Sequence, residues 1–406
     1  MSAERLSRRR LLGGLGVAAP LAAATFGANE PASASPSSVV SFFGAHQAGI
    51  ATPPPEHFAM LALDVTTTSA FTLRAALNRC SEAALRLTLG QSLGATANPY
   101  VPPVDSGEAL DRGPENLTVT IGYGPGLFDH RFGLSTRRPH ALYELPAFPG
   151  DDLDPALCGG DLLFQFCSDD PQVNFHAAHS IERLLAGVAA TKYLHVGFGR
   201  TSATASGQET TRNLIGFKDG TDNLQRDTAE EYKVHVWANE GEPSFMHGGT
   251  YLVARKIRVH LESWTSTSLD AQEGIIGRFK ASGAPLTGTR EHDAPNLTAV
   301  DITGVHVIPD NAHIRVAGPA ANGLHKILRR GFGFVDGVDP RSGHFAAGLH
   351  FVCFQRDPHA QFVRIQQNVA TNDALANYLM TVGSAVVACP RGLQRGQGWG
   401  DQLFGE

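Results

Sequence analysis

An α+β fold built from two similar halves is predicted by three observations. Strand and helix periodicities run β-α-β-β-α-β over the first half, and the same order returns in the second half around one insertion. A hydrophobic content of 42% in 406 residues supplies an ordinary globular core. In the first half, residues 57–65 and 117–122 read as strands. The second of these places Leu117, Val119 and Ile121 on one face and Thr118 and Thr120 on the other. Between them 69–89 reads as a helix: Ser69 can cap it, and Leu73, Ala76, Leu77, Cys80, Ala84 and Leu87 recur at helical spacing. Residues 161–167 give a strand. Residues 172–189 give a helix with Val173, Ala177, Ile181, Leu184, Leu185 and Val188 on its apolar face, and 193–199 closes the set. This is the ferredoxin-like arrangement, with antiparallel sheets.

The second half repeats the series as strand 250–261, helix 269–281, strand 326–335, strand 344–355, helix 358–369 and strand 381–389. An insertion at roughly 285–321 carries His313, and the connection between the halves carries Asp219. Both residues fall outside the repeated framework, on loops that a rigid scaffold can position. The expected divisions are 1–34, 35–210 and 211–406.

Composition excludes several classes. A formal net charge of -6 and a pI near 6.3 argue against a nucleic-acid footprint, which would be basic and clustered. The five cysteines, Cys80, Cys158, Cys167, Cys353 and Cys389, are scattered, with no CxxC pair and no CxxCH attachment motif. Buried thiols are the expectation, and a Cys158/Cys167 disulfide stays open. At the start, Ser7-Arg8-Arg9-Arg10-Leu11-Leu12 is a twin-arginine pattern, followed by an apolar stretch over 11–26 and by Ala32-Ser33-Ala34 as a cleavage site. Residues 1–34 therefore read as an export signal, which sends the mature chain to the periplasm or the extracellular space. No later stretch reaches the ~20 apolar residues of a stable membrane span.

Three segments carry chemistry: Ile215-Gly216-Phe217-Lys218-Asp219-Gly220-Thr221-Asp222-Asn223, then Ala312-His313-Ile314-Arg315, then Ile327-Leu328-Arg329-Arg330-Gly331. They supply a carboxylate, an imidazole and a guanidinium. Asp219, Thr221, Asn223, Asp227 and Glu230 also fall at EF-hand ligand spacing, but Leu224 stands where that loop needs glycine. His176 and His179 lie three apart on a helix with no third metal ligand evident. Trp237, Trp264 and Trp399 read as core residues, with relay of charge to the surface as the alternative.

Together with Phe43-Gly44-Ala45-His46-Gln47-Ala48-Gly49-Ile50, Gly122-Tyr123-Gly124-Pro125-Gly126-Leu127-Phe128 and Gly160-Asp161-Leu162-Leu163, these segments span nearly the whole mature chain. The chain so read resembles the dye-decolourising peroxidases, in the exported subgroup that includes haem-handling iron-uptake peroxidases. The resemblance implies one noncovalent haem b in the C-terminal half, with His313 as the axial ligand to its iron. It implies Asp219 and Arg329 as the catalytic pair, Arg330 being left for the surface or an ion pair. The reverse assignment of the two arginines stays open, because strand neighbours point to opposite faces and only one can reach the iron. Gly220, Thr221 and Asp222 would line the haem, as would Gly318, Pro319 and Ala320. Arg315 could reach a propionate and Phe351 could pack over the distal face, each with a plain structural alternative. Asp373 and Asn377 are candidates to accept from the far nitrogen of His313.

The function implied is reduction of hydrogen peroxide with one-electron oxidation of an aromatic dye or phenolic donor. A carboxylate acid-base group in place of an imidazole also predicts better turnover below neutrality. The alternative is an exported haem-binding protein that releases iron from haem (a deferrochelatase), working with iron-uptake partners.

Overall fold

The structure, a computed structural model, describes residues 39–202, 210–225 and 228–405. The export signal expected at 1–34 lies outside them, as does Asp227 of the calcium-loop spacing. The first half runs β1 (His57–Val65), α1 (Ala70–Thr88), β2 (Thr118–Tyr123), β3 (Leu162–Ser168), α2 (Pro171–Leu184) and β4 (Ala189–Arg200). Ser69 caps α1 by accepting the Thr72 N–H, and Asp170 caps α2 by accepting from Gln172 and Val173. Pro171 then occupies the first turn of α2, where its missing N–H costs nothing. The second half runs α3 (Ala229–His235), β5 (Thr250–Val259), α4 (Leu261–Ser266), α5 (Leu269–Ile276), α6 (His313–Val316), β6 (Leu328–Arg329), β7 (Phe332–Val338), β8 (Phe345–Gln355), α7 (Arg364–Asn372), β9 (Leu379–Cys389) and α8 (Trp399–Phe404).

Several expected elements are shorter or divided: the helix expected over 172–189 ends at Leu184, with Ala189 already in β4, and the strand expected over 250–261 ends at Val259. The helix expected over 269–281 stops at Ile276, because Gly277 takes φ 88° and ends it in a left-handed cap. The strand expected over 326–335 splits into β6 and β7 at Arg330 and Gly331. At the split, the Thr201 N–H donates to Gly331 O (2.9 Å). A Cβ on residue 331 would lie 2.6 Å from Thr201 Oγ1, so glycine is what lets the two backbones meet.

All nine strands join one antiparallel sheet in the order β5-β9-β2-β3-β1-β4-β7-β8-β6, and a further β5–β8 pairing closes it into a ring. The order β2-β3-β1-β4 in the first half matches β7-β8-β5-β9 in the second. The seams between them are narrow: β2 meets β9 at Tyr123↔Ala388 alone, and β4 meets β7 at Phe198↔Gly333 and Arg200↔Phe332. Closure leaves few free edges to pair with other chains.

Period-two alternation sorts the side chains. Phe58 and Met60 of β1 pack in one core with Leu163, Leu252, Phe332, Val352, Phe354 and Val387, which fill the ring. Ala59, Leu61 and Leu63 belong to a second core with Leu73, Leu77 and Cys80 of α1 and Ala177 and Ile181 of α2. The five cysteines are free, so the Cys158/Cys167 bridge left open by the sequence is not formed. Among the described residues, no helix is long and apolar enough to cross a membrane.

Candidate active site

The face of β5, β8 and β9 that bears Ile257, Val259, Leu349, Phe351, Leu379 and Thr381 borders a cavity of about 650 Å³. Ile314 and Ala317 of α6 close it from another side, with Phe362, Ile365, Val369 and Ala370 from α7 and the π-turn before it (His359–Val363). Its volume and largely apolar walls suit a small-molecule or cofactor site.

A carboxylate and a guanidinium meet at this cavity. Arg329 Nη1 donates to Asp219 Oδ1 at 3.1 Å, and both side chains are mostly buried. Asp219 sits between Gly216 (φ 85°) and Gly220 (φ 88°). A Cβ on residue 220 would come within 2.8 Å of the Ser202 Cα, so the loop approaches the end of β4 as only glycine allows. Two asparagines that sequence reasoning did not single out as site residues hold the pair. Asn213 Nδ2 donates to Asp219 Oδ2 at 3.1 Å. Asn223 grips the backbone of Arg329 at two points, accepting its N–H and donating to its C=O, each at 2.9 Å.

An imidazole borders the same cavity. His313 opens α6, and its Nδ1 lies 2.6 Å from Oδ2 of Asp373, a carboxylate with no exposed side-chain surface. Since a carboxylate can only accept, Nδ1 carries the hydrogen, and in the neutral ring the lone pair is therefore on Nε2. The other oxygen of Asp373 accepts the Leu375 N–H (2.8 Å), which fixes the carboxylate after α7. Of the two acceptors considered, Asp373 is therefore the partner, while Asn377 donates to Ala374 O and borders the cavity. Burial by itself would lower the His313 pKa. The charge and hydrogen bond of Asp373, with the charge of Asp219, outweigh burial and the opposing Arg329, so the net shift is upward.

Gly220, Thr221, Asp222, Gly318, Pro319, Ala320 and Phe351 all border the cavity. Arg315 does not: its guanidinium donates to the carbonyls of Pro309, Leu297 and Ile308. This corrects the expectation of a propionate contact. Residues two apart on a helix diverge by about 200°, so Arg315 faces away from the side His313 presents. Basic residues that do border the cavity are Lys218, Arg278, His325 and Lys326. Arg330 is not on the surface, and among the described residues it has no ion-pair partner. It is fully buried, donates to Thr52 O and lies beside Cys167 in the ring interior. His176 and His179 share the carboxylate of Glu108, each at 2.7 Å. Among the described residues, no group of His, Cys, Asp and Glu could hold a metal ion.

Comparison with known proteins agrees along most of the chain. The family description "Dyp-type peroxidase, N-terminal" matches residues 47–199, and "Dyp-type peroxidase, C-terminal" matches 210–394. The chain is 37% identical over 391 residues to a deferrochelatase of Escherichia coli O6:K15:H31, covering 93% of this chain and 92% of that protein. A deferrochelatase of Yersinia pseudotuberculosis is 38% identical over 348 residues, covering 84% of this chain and 79% of the relative. Among solved structures, DtpA from Streptomyces lividans in an oxyferrous/water mixed complex aligns with a TM-score of 0.84 and 37% identity, over 91% of this chain and 98% of that one. The DyP-type peroxidase from Cellulomonas bogoriensis aligns with a TM-score of 0.82 and 38% identity, over 91% and 99%.

Proposed function

The chain belongs to the Dyp-type peroxidase family and is a peroxidase, and from that premise we propose which residues carry the reaction. The cavity fits a haem b in size and wall chemistry. It offers one imidazole with a free Nε2 lone pair and a carboxylate holding its other nitrogen. The haem, when bound, supplies an iron with one open coordination position at which peroxide is reduced and to which donors return electrons. His313 Nε2 would bind that iron, while Asp373 orients the ring and strengthens it as a donor. Gly220, Thr221, Asp222, Gly318, Pro319 and Ala320 would line the bound porphyrin. The basic side chains bordering the cavity, on which its carboxylates would draw, are Arg278, His325 and two lysines already paired, Lys218 with Glu291 and Lys326 with Glu231.

Asp219 would accept the proton from one oxygen of hydrogen peroxide and return it to the other, serving as base and then as acid. Arg329 would donate to the oxygen on which negative charge develops. Two one-electron oxidations of an aromatic dye or phenolic donor would complete the cycle. The single observation that carries this reading is that the Asp219–Arg329 pair and the His313–Asp373 pair border one cavity. The matching strand orders support two ferredoxin-like halves, 35–210 and 211–406, and the cavity walls on β5, β8, β9, α6 and α7 support a haem in the second. The pattern at Arg8-Arg9-Arg10 supports export by the twin-arginine route.

A second reading rests on the relatives named deferrochelatase: release of iron from haem, leaving the porphyrin intact. Mixing haem-loaded protein with one equivalent of peroxide separates the two. A prompt change of the Soret spectrum that is lost in Asp219→Ala and Arg329→Leu is the expected result. An unchanged spectrum, with metal-free porphyrin accumulating under reducing conditions, would favour iron release.

A further inference from the structure

Asp219 is held on both oxygens, and the second holder is an amide whose orientation is fixed. Asn213 Oδ1 accepts the N–H groups of Ile215 (3.2 Å) and Phe217 (3.3 Å). A rotated amide would turn its NH₂ toward those two donors, so Nδ2 must face Asp219. The backbone of the same residue closes the turn twice, with Asn213 N donating to Phe217 O (3.0 Å) and Gly216 N to Asn213 O (2.9 Å). Asp219 N then donates to Thr211 O (3.0 Å), which ties the acid to the strand-like segment on the other side of the turn. One asparagine therefore shapes the loop and presents a permanent donor to the carboxylate.

We propose that Asn213 is a positioning residue for the peroxide reaction: its amide fixes the plane of the Asp219 carboxylate. The proposal rests on the acid-base reading of Asp219 given above. A carboxylate free to rotate would offer its receptive lone pair in many directions, only some of which reach a substrate oxygen. With Arg329 on Oδ1 and Asn213 on Oδ2, rotation breaks two hydrogen bonds at once. The other titratable or charged groups around the carboxylate are His313 on α6, Lys218 and Asp222 in the same loop, and Arg278 at the cavity wall. None of these donates to Oδ2.

The test uses the full haem-loaded protein and the rate constant of its first reaction with hydrogen peroxide across pH. Asn213→Asp keeps an acceptor for Ile215 and Phe217 but replaces the donor with a like charge, and Asn213→Ala removes both functions. In Asn213→Asp the acid limb of the profile should move toward neutrality by about one pH unit or more, a tenfold loss at a fixed acid pH. Asn213→Ala should shift it less. A limb that stays in place in both variants, with haem content matched, overturns the proposal. Asp219→Asn runs alongside: if it reacts at the parent rate, the acid-base reading of Asp219 is what fails. A second readout does not depend on haem. In ¹⁵N spectra of the haem-free protein, the Asn213 side-chain amide should be protected from exchange and should shift in Asp219→Asn. An amide that exchanges freely and ignores that substitution also overturns the proposal, even where a variant at residue 213 fails to fold or load.

Discussion

Asp373 and His313 lie 60 residues apart in sequence, yet an Nδ1–Oδ2 distance of 2.6 Å joins the end of α7 to the start of α6. The pair leaves Nε2 as the nitrogen available to iron. Asp373→Asn preserves size and the acceptor for the Leu375 N–H but removes the charge. Haem affinity should fall by about 10- to 100-fold, measured as haem transfer to an acceptor globin. His313→Ala should load less haem than Asp373→Asn.

Asp219→Asn should slow the first reaction with peroxide by about 10²- to 10⁴-fold, and Arg329→Leu by about 10²- to 10³-fold. Stopped-flow rates at matched haem content check both. Arg330→Lys is the contrasting case: the buried guanidinium bonds Thr52 O in the ring, so stability should fall without a comparable loss in rate per loaded haem.

Asn223 fixes where the Arg329 side chain starts. Asn223→Ala removes both backbone contacts at β6 and should reduce the peroxide rate by about tenfold, in keeping with the loss of a geometric constraint. The loss should be uniform across pH, because no donor to Asp219 is removed.

His195 and His350 stack in the ring with centroids 4.9 Å apart, beside Tyr193, Phe334 and the cation of Lys256. Burial, with the Lys256 charge, pulls His195 from 6.5 to about 3 and His350 well below its ordinary value. The unfolded chain then binds protons that the folded ring refuses. Stability is fully present above pH 6.5 and is lost as pH falls below it, by about 1.4 kcal/mol per pH unit for each histidine. Thermal melts between pH 7 and 4 should show this slope, and His195→Gln with His350→Gln should flatten it.

The buried Arg255–Asp151 ion pair anchors the segment whose Pro149 and Gly150 border the cavity. Asp151→Ala leaves an uncompensated guanidinium beside Ser384 and should cost about 3–5 kcal/mol. Denaturant titration measures this, and Asp151→Ala with Arg255→Met should recover part of it.

Local chemistry made much of the fold legible. Alternation in residues 117–122 and the helical spacing from Leu73 to Leu87 locate β2 and α1 to within a residue or two of their ends, because both elements bury one face. The closed ring was not legible, since it depends on contacts as small as Tyr123↔Ala388 between residues far apart in sequence. In the site, the three motifs identify side chains that do gather at one cavity. The direction of Arg315 could not be read from its closeness to His313, because a four-residue helix separates them by angle. Asn213 carried a usable signal, an Asn-x-x-Gly turn six residues before the acid, but a turn formula does not say what lies within reach of the amide.

The ring's two seams carry one and two residue pairs, whereas both halves contribute to its filling, from Phe58 and Leu163 on one side to Val352 and Phe354 on the other. Cohesion between the halves is thus a matter of shared hydrocarbon rather than of backbone ladder. Either half expressed by itself would present a bare greasy wall to water. Co-expression of the separated pieces is the route by which a split version of this enzyme could reassemble, and the unmatched fragment would be a substrate for chaperones.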